Sequence, residues 1–549
     1  MIDGEENDKV KQLGLFSGFR GIVPAALAAV ILVCGCSVKP QPYSEGQMLT
    51  LALTDQRALM EGIPPLAADG RLSLEEAILR ALVFNLDHRL ALSENVSAER
   101  DRVLAAVAML PELTANGNFY DRDNISASSS MSYRTRKQSL EPSFSSEPGR
   151  QWGNLEFSWS IVDCGLSYYM AKQQADRVLI SYERRRRTMN TIVKDVVATY
   201  YRARAAQKYL GRIRGMIREA DRALADYRQI EAEKVEPLPA VLENQRRLLN
   251  IKGQLERIEN DLDQSRVQLA ALCNFPLHEK FTLTTSTINL PDINQSLADL
   301  ELLGLHRRPE LREERYQERV DIASVKQEIL RMFPAIRILG SLNFDANPYL
   351  VNSTWAEAGV QVSEGLVKMA VAGPKAVKAA EARQELSQMR RLALSLATLV
   401  QVNLSRQQYQ ISLNELKNAR SLRDLERRLL AQVETEAVAE ADGRLALVQQ
   451  KAQTINSELG YDLARVGAYV ALGNLYFSVG VGMGDDLPPD ASIDALGSAV
   501  REGLTNWAEG RFPPLPAPEA VTDLEAPKVF PDNATPEERQ AALERNVPR

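Results

Sequence analysis

Residues 154–161 read NLEFSWSI. Leu155, Phe157, Trp159 and Ile161 alternate with Asn154, Glu156, Ser158 and Ser160, the period of two that gives a strand one apolar and one polar face. The sequence on either side is charged and helical, so this strand has to find its partners elsewhere in the chain.

A duplication supplies them. Residues 85–111, NLDHRLALSENVSAERDRVLAAVAMLP, and 308–334, RPELREERYQERVDIASVKQEILRMFP, are helical by periodicity, and Arg89 stands from Pro111 as Arg312 stands from Pro334. Proline halts both helices. Each is followed by a predicted strand, LTANGNFYD (113–121) or IRILGSLNF (336–344), then a polar loop and a second strand, NLEFSWSI or WAEAGVQVS (355–363). Ile336, Ile338, Gly340, Leu342 and Phe344 share one face, as do Ala356, Ala358, Val360 and Val362. The loop 122–150, rich in serine and charge, reads as an insertion in one half.

From Gly165 to about Ala232 and from Pro374 to about Val433 the pattern is helical, each a rod on the order of 100 Å long at about 1.5 Å per residue. Return helices follow, Pro239 to Asn274 and Asp442 to Asn474, ending alike in LAALCNF (269–275) and YVALGNL (469–475). The two hairpins thus give four amphipathic strands of the length that crosses a bilayer as tilted β-structure. Four strands cannot close a barrel, and an open edge in lipid leaves backbone groups unpaired. Several chains must share one barrel, with apolar faces toward lipid and polar faces toward water.

The composition, 45% hydrophobic and 25% charged over 549 residues, matches neither a polytopic helical membrane protein nor a disordered chain. A net charge of -6 gives no general reason to bind nucleic acid. His88, His278 and His306 lie far apart without ligand spacing, so a histidine-based metal site is not expected. Four cysteines are too few for a disulfide framework, and Cys164 and Cys273 are expected as free thiols. There is no Walker A segment, no hydrolase elbow and no acid–base pair at suggestive spacing, so neither a reaction nor a cofactor is expected. The glycines of GVGMG (480–484) do not follow a strand and open a helix, which argues against a nucleotide site.

Residues 21–35, GIVPAALAAVILVCG, are an apolar run too short for a comfortable membrane span, and they end in small residues before Cys36. Val33-Cys34-Gly35-Cys36 resembles a lipobox, the bacterial lipoprotein signal; the resemblance implies a covalent lipid on Cys36 and, with Ser37 next, sorting to the outer membrane. The competing reading is a buried N-terminal helix.

Taken together, the duplicated half, RPELR (308–312), the junction IVDCG (161–165), LGNL (472–475) and the lipobox resemble the TolC-like outer membrane efflux proteins, or outer membrane factors, over about residues 70–477. The resemblance implies an α+β membrane protein: a homotrimer whose chains give four strands each to one transmembrane β-barrel, continuous with a long α-helical coiled-coil barrel in the periplasm. It implies the exit duct of a tripartite efflux or type I secretion-like export system, docking a periplasmic membrane fusion adaptor and an inner-membrane transporter. The implied organisation is a signal peptide (1–35), a lipidated linker (36–70), a first repeat (71–274), an equatorial connector (275–307), a second repeat (308–477) and a proline-rich tail (478–549); the tail, with no long periodic run, is expected to be extended or wrapped around the periplasmic helices, with some disorder. The alternative from another class is a periplasmic coiled-coil scaffold lipoprotein without a pore, which leaves the four strands and their duplication unexplained.

Counting back from Gly473, the family's second gate aspartate falls on Asp442, with Glu440 beside the other gate position; the alternative is a solvated helix end. The tip segments 228–239 and 431–442 lack the glycine that members of the family carry there. Tyr120, Trp152, Trp159 and Trp355 are the candidates for aromatic girdles at the bilayer interface, with ordinary strand packing as the competitor. The run ERRRR (183–187) lies within the long helix and is expected to be solvated or ion-paired between helices, with contact to anionic lipid or substrate as the alternative.

Overall fold

The computed structural model describes residues 40–60, 70–234, 237–276, 281–285, 289–363, 365, 368–437 and 443–517. The chain divides into two units, 1–63 and 64–549. In the first, the helix α1 (Glu45–Met60) occupies part of the segment expected to be a linker. It opens on a reciprocal cap: the Ser44 N–H donates to Gln47 Oε1 and the Gln47 N–H to Ser44 Oγ.

The second unit runs through β1 (Arg71–Leu72), α2 (Leu74–Phe84), α3 (Leu86–Val107), β2 (Glu112–Tyr120), β3 (Ala127–Ser128), β4 (Ser143–Phe144), β5 (Arg150–Ser160), α4 (Ile161–Glu233), α5 (Leu238–Leu272), β6 (Thr282–Leu283), α6 (Leu297–Arg307), α7 (Pro309–Leu330), β7 (Ala335–Asp345), β8 (Thr354–Ser363), α8 (Gly373–Ala437), α9 (Gly443–Ser478) and α10 (Ile493–Glu509). The repeat is visible element by element. Helices α3 and α7 are each 22 residues long and stop short of Pro111 and Pro334. The long helices α4 and α8 have 73 and 65 residues, and their returns α5 and α9 have 35 and 36.

Leu248, Leu255, Leu262 and Leu269 recur every seven residues on α5, with Val241 before them, and all are buried. That heptad seam is the period at which two helices wind round each other as a left-handed supercoil. Against it pack Ala206, Tyr209, Ile213 and Leu224 of α4 and Val448, Ile455 and Leu459 of α9. A second core lies where both repeats meet the short parallel ladder β1–β6, drawing Leu72, Val196, Tyr200, Leu300, Val402, Tyr409, Tyr469, Leu472 and Tyr476 together. The Tyr200 hydroxyl donates to the carbonyls of Leu72 and Thr284, so a buried polar group ties this ladder to the long helix.

Part of the tail packs on the helices and is not extended. Helix α10 opens with Ser492 accepting from the Ala495 N–H and closes at Gly510 in the left-handed conformation, so residues 493–509 are a capped helix rather than extended chain. Trp507 is buried and packs on Tyr476 and Phe477 of α9, while Tyr476 stacks on Phe512. Gly473 of LGNL is where this packing is closest: a Cβ there would stand 2.8 Å from the Trp507 ring. The glycines of GVGMG have a packing reason too, since a Cβ at Gly480 would meet the Arg307 backbone at 2.5 Å and one at Gly482 would meet Asn190 Oδ1 at 1.9 Å.

At the first helical tip, whose sequence has no glycine, the left-handed residue is Lys234, with φ 53°; α5 then starts after Pro237. The second tip, with Glu440 and Asp442, lies outside the described residues, as does Cys36. Cys164 and Cys273 are free, and burial pushes the Cys273 thiol up to about 12.

Candidate functional site

The strands β2, β5, β7 and β8 form one antiparallel sheet in that order. Its register puts residues of like chemistry in rows. On one face Leu113, Phe157, Gly340 and Ala358 stand side by side, as do Ala115, Leu155, Leu342 and Ala356 in the next row. On the other face the rows are Thr114, Glu156, Ser341 and Glu357, then Asn116, Asn154, Asn343 and Trp355. The side-chain period of two therefore holds through all four strands without a slip.

The apolar face has no cover. Phe119 is 73% exposed, Val360 69% and Leu342 61%, and Leu155, Phe157, Phe344 and Val362 are exposed with them. An open band of large apolar side chains on a soluble domain is a liability, whereas in lipid it is the required surface. The strands run 9 to 11 residues, the span of a tilted membrane strand. Strands β2 and β8 each have a single neighbour, so both edges of the sheet carry unpaired backbone groups.

The polar face is hydrogen-bonded within itself. The Asn116 amide donates to Asn154 Oδ1 and the Trp355 indole N–H to Glu357 Oε1. At the loop end Arg150 grips the buried carboxylate of Asp345 through Nε and Nη2, and Nη1 reaches the Tyr120 hydroxyl. The Asp345 carboxylate also accepts the Asn347 N–H, which fixes the turn between β7 and β8. At the other end Ser160 caps α4 by accepting the Asp163 N–H, so β5 passes directly into the long helix.

The register separates the four aromatic candidates. Trp159, beside Ile338 and near the helix end, stands on the apolar face. Tyr120, Trp152 and Trp355 stand on the polar face, opposite Arg150, Asn118 and Asn343. Phe119 and Phe344 hold the apolar face at the loop end; the alternation of the sequence alone contained that signal, since both are in phase with the other apolar positions.

Among the described residues no helix is long and apolar enough to cross a membrane, and no group of His, Cys, Asp and Glu is placed to hold a metal ion. No family model and no curated protein matches the chain by sequence. Solved structures do match it. The Campylobacter jejuni CmeC outer membrane channel is similar with a TM-score of 0.58, at 11% identity over 79% of this chain and 89% of that one. The chain has the fold of the TolC-like outer-membrane channels. The open state of the Neisseria gonorrhoeae MtrE outer membrane channel, TM-score 0.57 and 16% identity over 74% of this chain and 89% of that one, shows the same TolC-like fold. So does the outer membrane protein VceC of Vibrio cholerae, TM-score 0.56 and 13% identity, covering 74% and 96%.

Proposed function

We propose that three copies of this chain form an outer-membrane exit duct, each giving β2, β5, β7 and β8 to one shared barrel whose polar face lines the lumen. The uncovered apolar face and the two open edges of the sheet carry this reading, because in lipid only closure through further chains pairs those edges. A stripe of exposed apolar residues along α8, including Leu396, Val400, Leu404 and Ile411, supplies a matching surface for a neighbouring chain's helices. Cys36 is the lipid anchor, and the helical tips face the periplasm, where a membrane fusion adaptor and an inner-membrane transporter complete a tripartite efflux or type I secretion-like path. Asp442 and Glu440 form the acidic gate at the tip, and the duct performs no reaction. Trp159 marks the periplasmic interface of the barrel, with Phe119 and Phe344 at the outer one.

Conductance of the purified protein in a planar bilayer, with native mass spectrometry of the same sample, tests this reading. A trimer with discrete openings that lose cation preference in Asp442→Asn/Glu440→Gln is the expected result. Openings unchanged by those substitutions keep the duct and remove the gate. Absence of both trimer and barrel overturns the duct in favour of a periplasmic scaffold lipoprotein.

A further inference from the structure

The loop 121–149 between β2 and β5 folds into a hairpin of its own. Strands β3 and β4 pair antiparallel, and Met131 bridges Gln138 nearer the tip. The turn is closed by the Ser132 N–H donating to the Lys137 carbonyl and the Arg136 N–H donating to the Ser132 carbonyl, with Arg136 left-handed at φ 53°. Serine hydroxyls brace the legs: Ser139 Oγ accepts the Ser130 N–H and Ser129 Oγ accepts the Gln138 amide. The base is tied to the neighbouring turn, where the Asn347 amide donates to the Ser145 carbonyl and Tyr349 meets Phe144 edge-on.

A hairpin held this firmly leaves its tip side chains outside. Tyr133 is 89% exposed, Leu140 is fully exposed and Met131 60% exposed. Arg134, Arg136 and Lys137 stand exposed among them, the Arg136 guanidinium 5.9 Å from the Tyr133 ring. No acid occurs between Asp123 and Glu141.

We propose that this tip docks onto the anionic phosphates of the lipid headgroup layer around the barrel, its three cations on the phosphates and Tyr133, Met131 and Leu140 in the acyl boundary. The inference rests on the exit-duct reading, which puts this end of the sheet at the outer face. A lipid surface fits better than a purely polar polyanion, because three apolar side chains are interleaved with the cations and Phe119 and Phe344 bring the apolar face of the sheet to the same end. Three cations near such a surface amount to a preference of about a hundredfold over a neutral one.

Hydroxyl-radical footprinting of the intact chain reads the tip without labelling it. The protein is reconstituted in vesicles of phosphatidylcholine alone, or of phosphatidylcholine with an equal share of phosphatidylglycerol, and oxidation of Met131 and Tyr133 is compared with that of Met389 on α8. Oxidation of the tip should fall in the anionic vesicles only, return in high salt, and be insensitive to lipid in R134Q/R136Q/K137Q. Equal oxidation in both vesicles overturns the inference, and equal protection in both does so in favour of a protein neighbour. A protein that inserts as a trimer yet shows no lipid dependence loses this docking alone; one that never inserts loses the duct and the docking together.

Discussion

Arg186 of α4 donates to Asp485, 2.9 Å away across 299 residues of sequence, and both are almost wholly buried. The same guanidinium reaches Glu183 at 2.6 Å, and Glu183 pairs with Arg312 of α7 at 2.9 Å. Arg185 donates to the Leu487 carbonyl beside it, and the Tyr182 hydroxyl to the carbonyls of Asp485 and Leu487. The chain leaving α9 is therefore clamped to the first repeat by Tyr182, Arg185 and Arg186, with Glu183 completing the buried charge cluster.

Arg186→Met should destabilise the protein by about 3–5 kcal/mol, because Glu183 and Asp485 are left as buried acids without their shared cation. Thermal melting in detergent, with proteolysis after residue 487 as a local probe, checks it. Removing the charges together, in Arg186→Met/Glu183→Gln/Asp485→Asn, should recover most of the loss. A triple variant as unstable as the single one would mean that shape, not charge, holds the clamp.

Gly473→Ala should cost about 1–3 kcal/mol through overpacking, since the new methyl meets the Trp507 ring at 2.8 Å and that indole is enclosed. Trp507→Leu in the same chain should restore part of it by opening room. Equal melting temperatures for wild type and Gly473→Ala would show that α10 can lift away freely.

The strands and long helices were legible because each has a single unbroken period: Leu155, Phe157 and Trp159 in phase on a strand, and no proline through α4. Helix α10 was not, because its signals are local, Ser492 and Gly510 at its ends, and prolines on both sides mask them. ERRRR divided in a way no periodicity announces: Arg184 and Arg187 pair with Glu313 at the surface, while Glu183, Arg185 and Arg186 are buried because the returning chain covers them. Residue type marks the aromatic candidates but face is set by parity within the strand, so Trp152 and Trp159 of one strand fall on opposite faces.

Leu342 and Asn343 are neighbours in β7 on opposite faces, which makes them a test of which face meets lipid. Leu342→Arg lies near the middle of the apolar face and should cost about 2–4 kcal/mol in vesicle refolding, the penalty for a cation at the bilayer midplane. Asn343→Arg should cost little, because the proposed duct turns that row toward water. On a water-facing sheet an exposed Leu342 would accept arginine within about 0.5 kcal/mol, so equal small effects would remove the membrane assignment of this face.

Glu458 of α9 joins three helices, accepting from Arg212 of α4 and, at 2.7 Å, from Arg427 of α8. Burial pushes its carboxyl up, and the two guanidiniums more than offset that, holding it below the usual carboxylate range. A depressed folded-state value means the stabilisation is complete above the unfolded value of about 4.3 and is lost as pH falls through the folded one. The helical hairpins should therefore loosen between neutral pH and strong acid, seen as a falling melting temperature below about pH 4. Glu458→Gln should melt earlier than wild type at pH 7, with the gap closing as pH falls, since the variant has no proton to gain there. A gap of constant size across that range would show that the contacts of Glu458, rather than its charge, hold the three helices together.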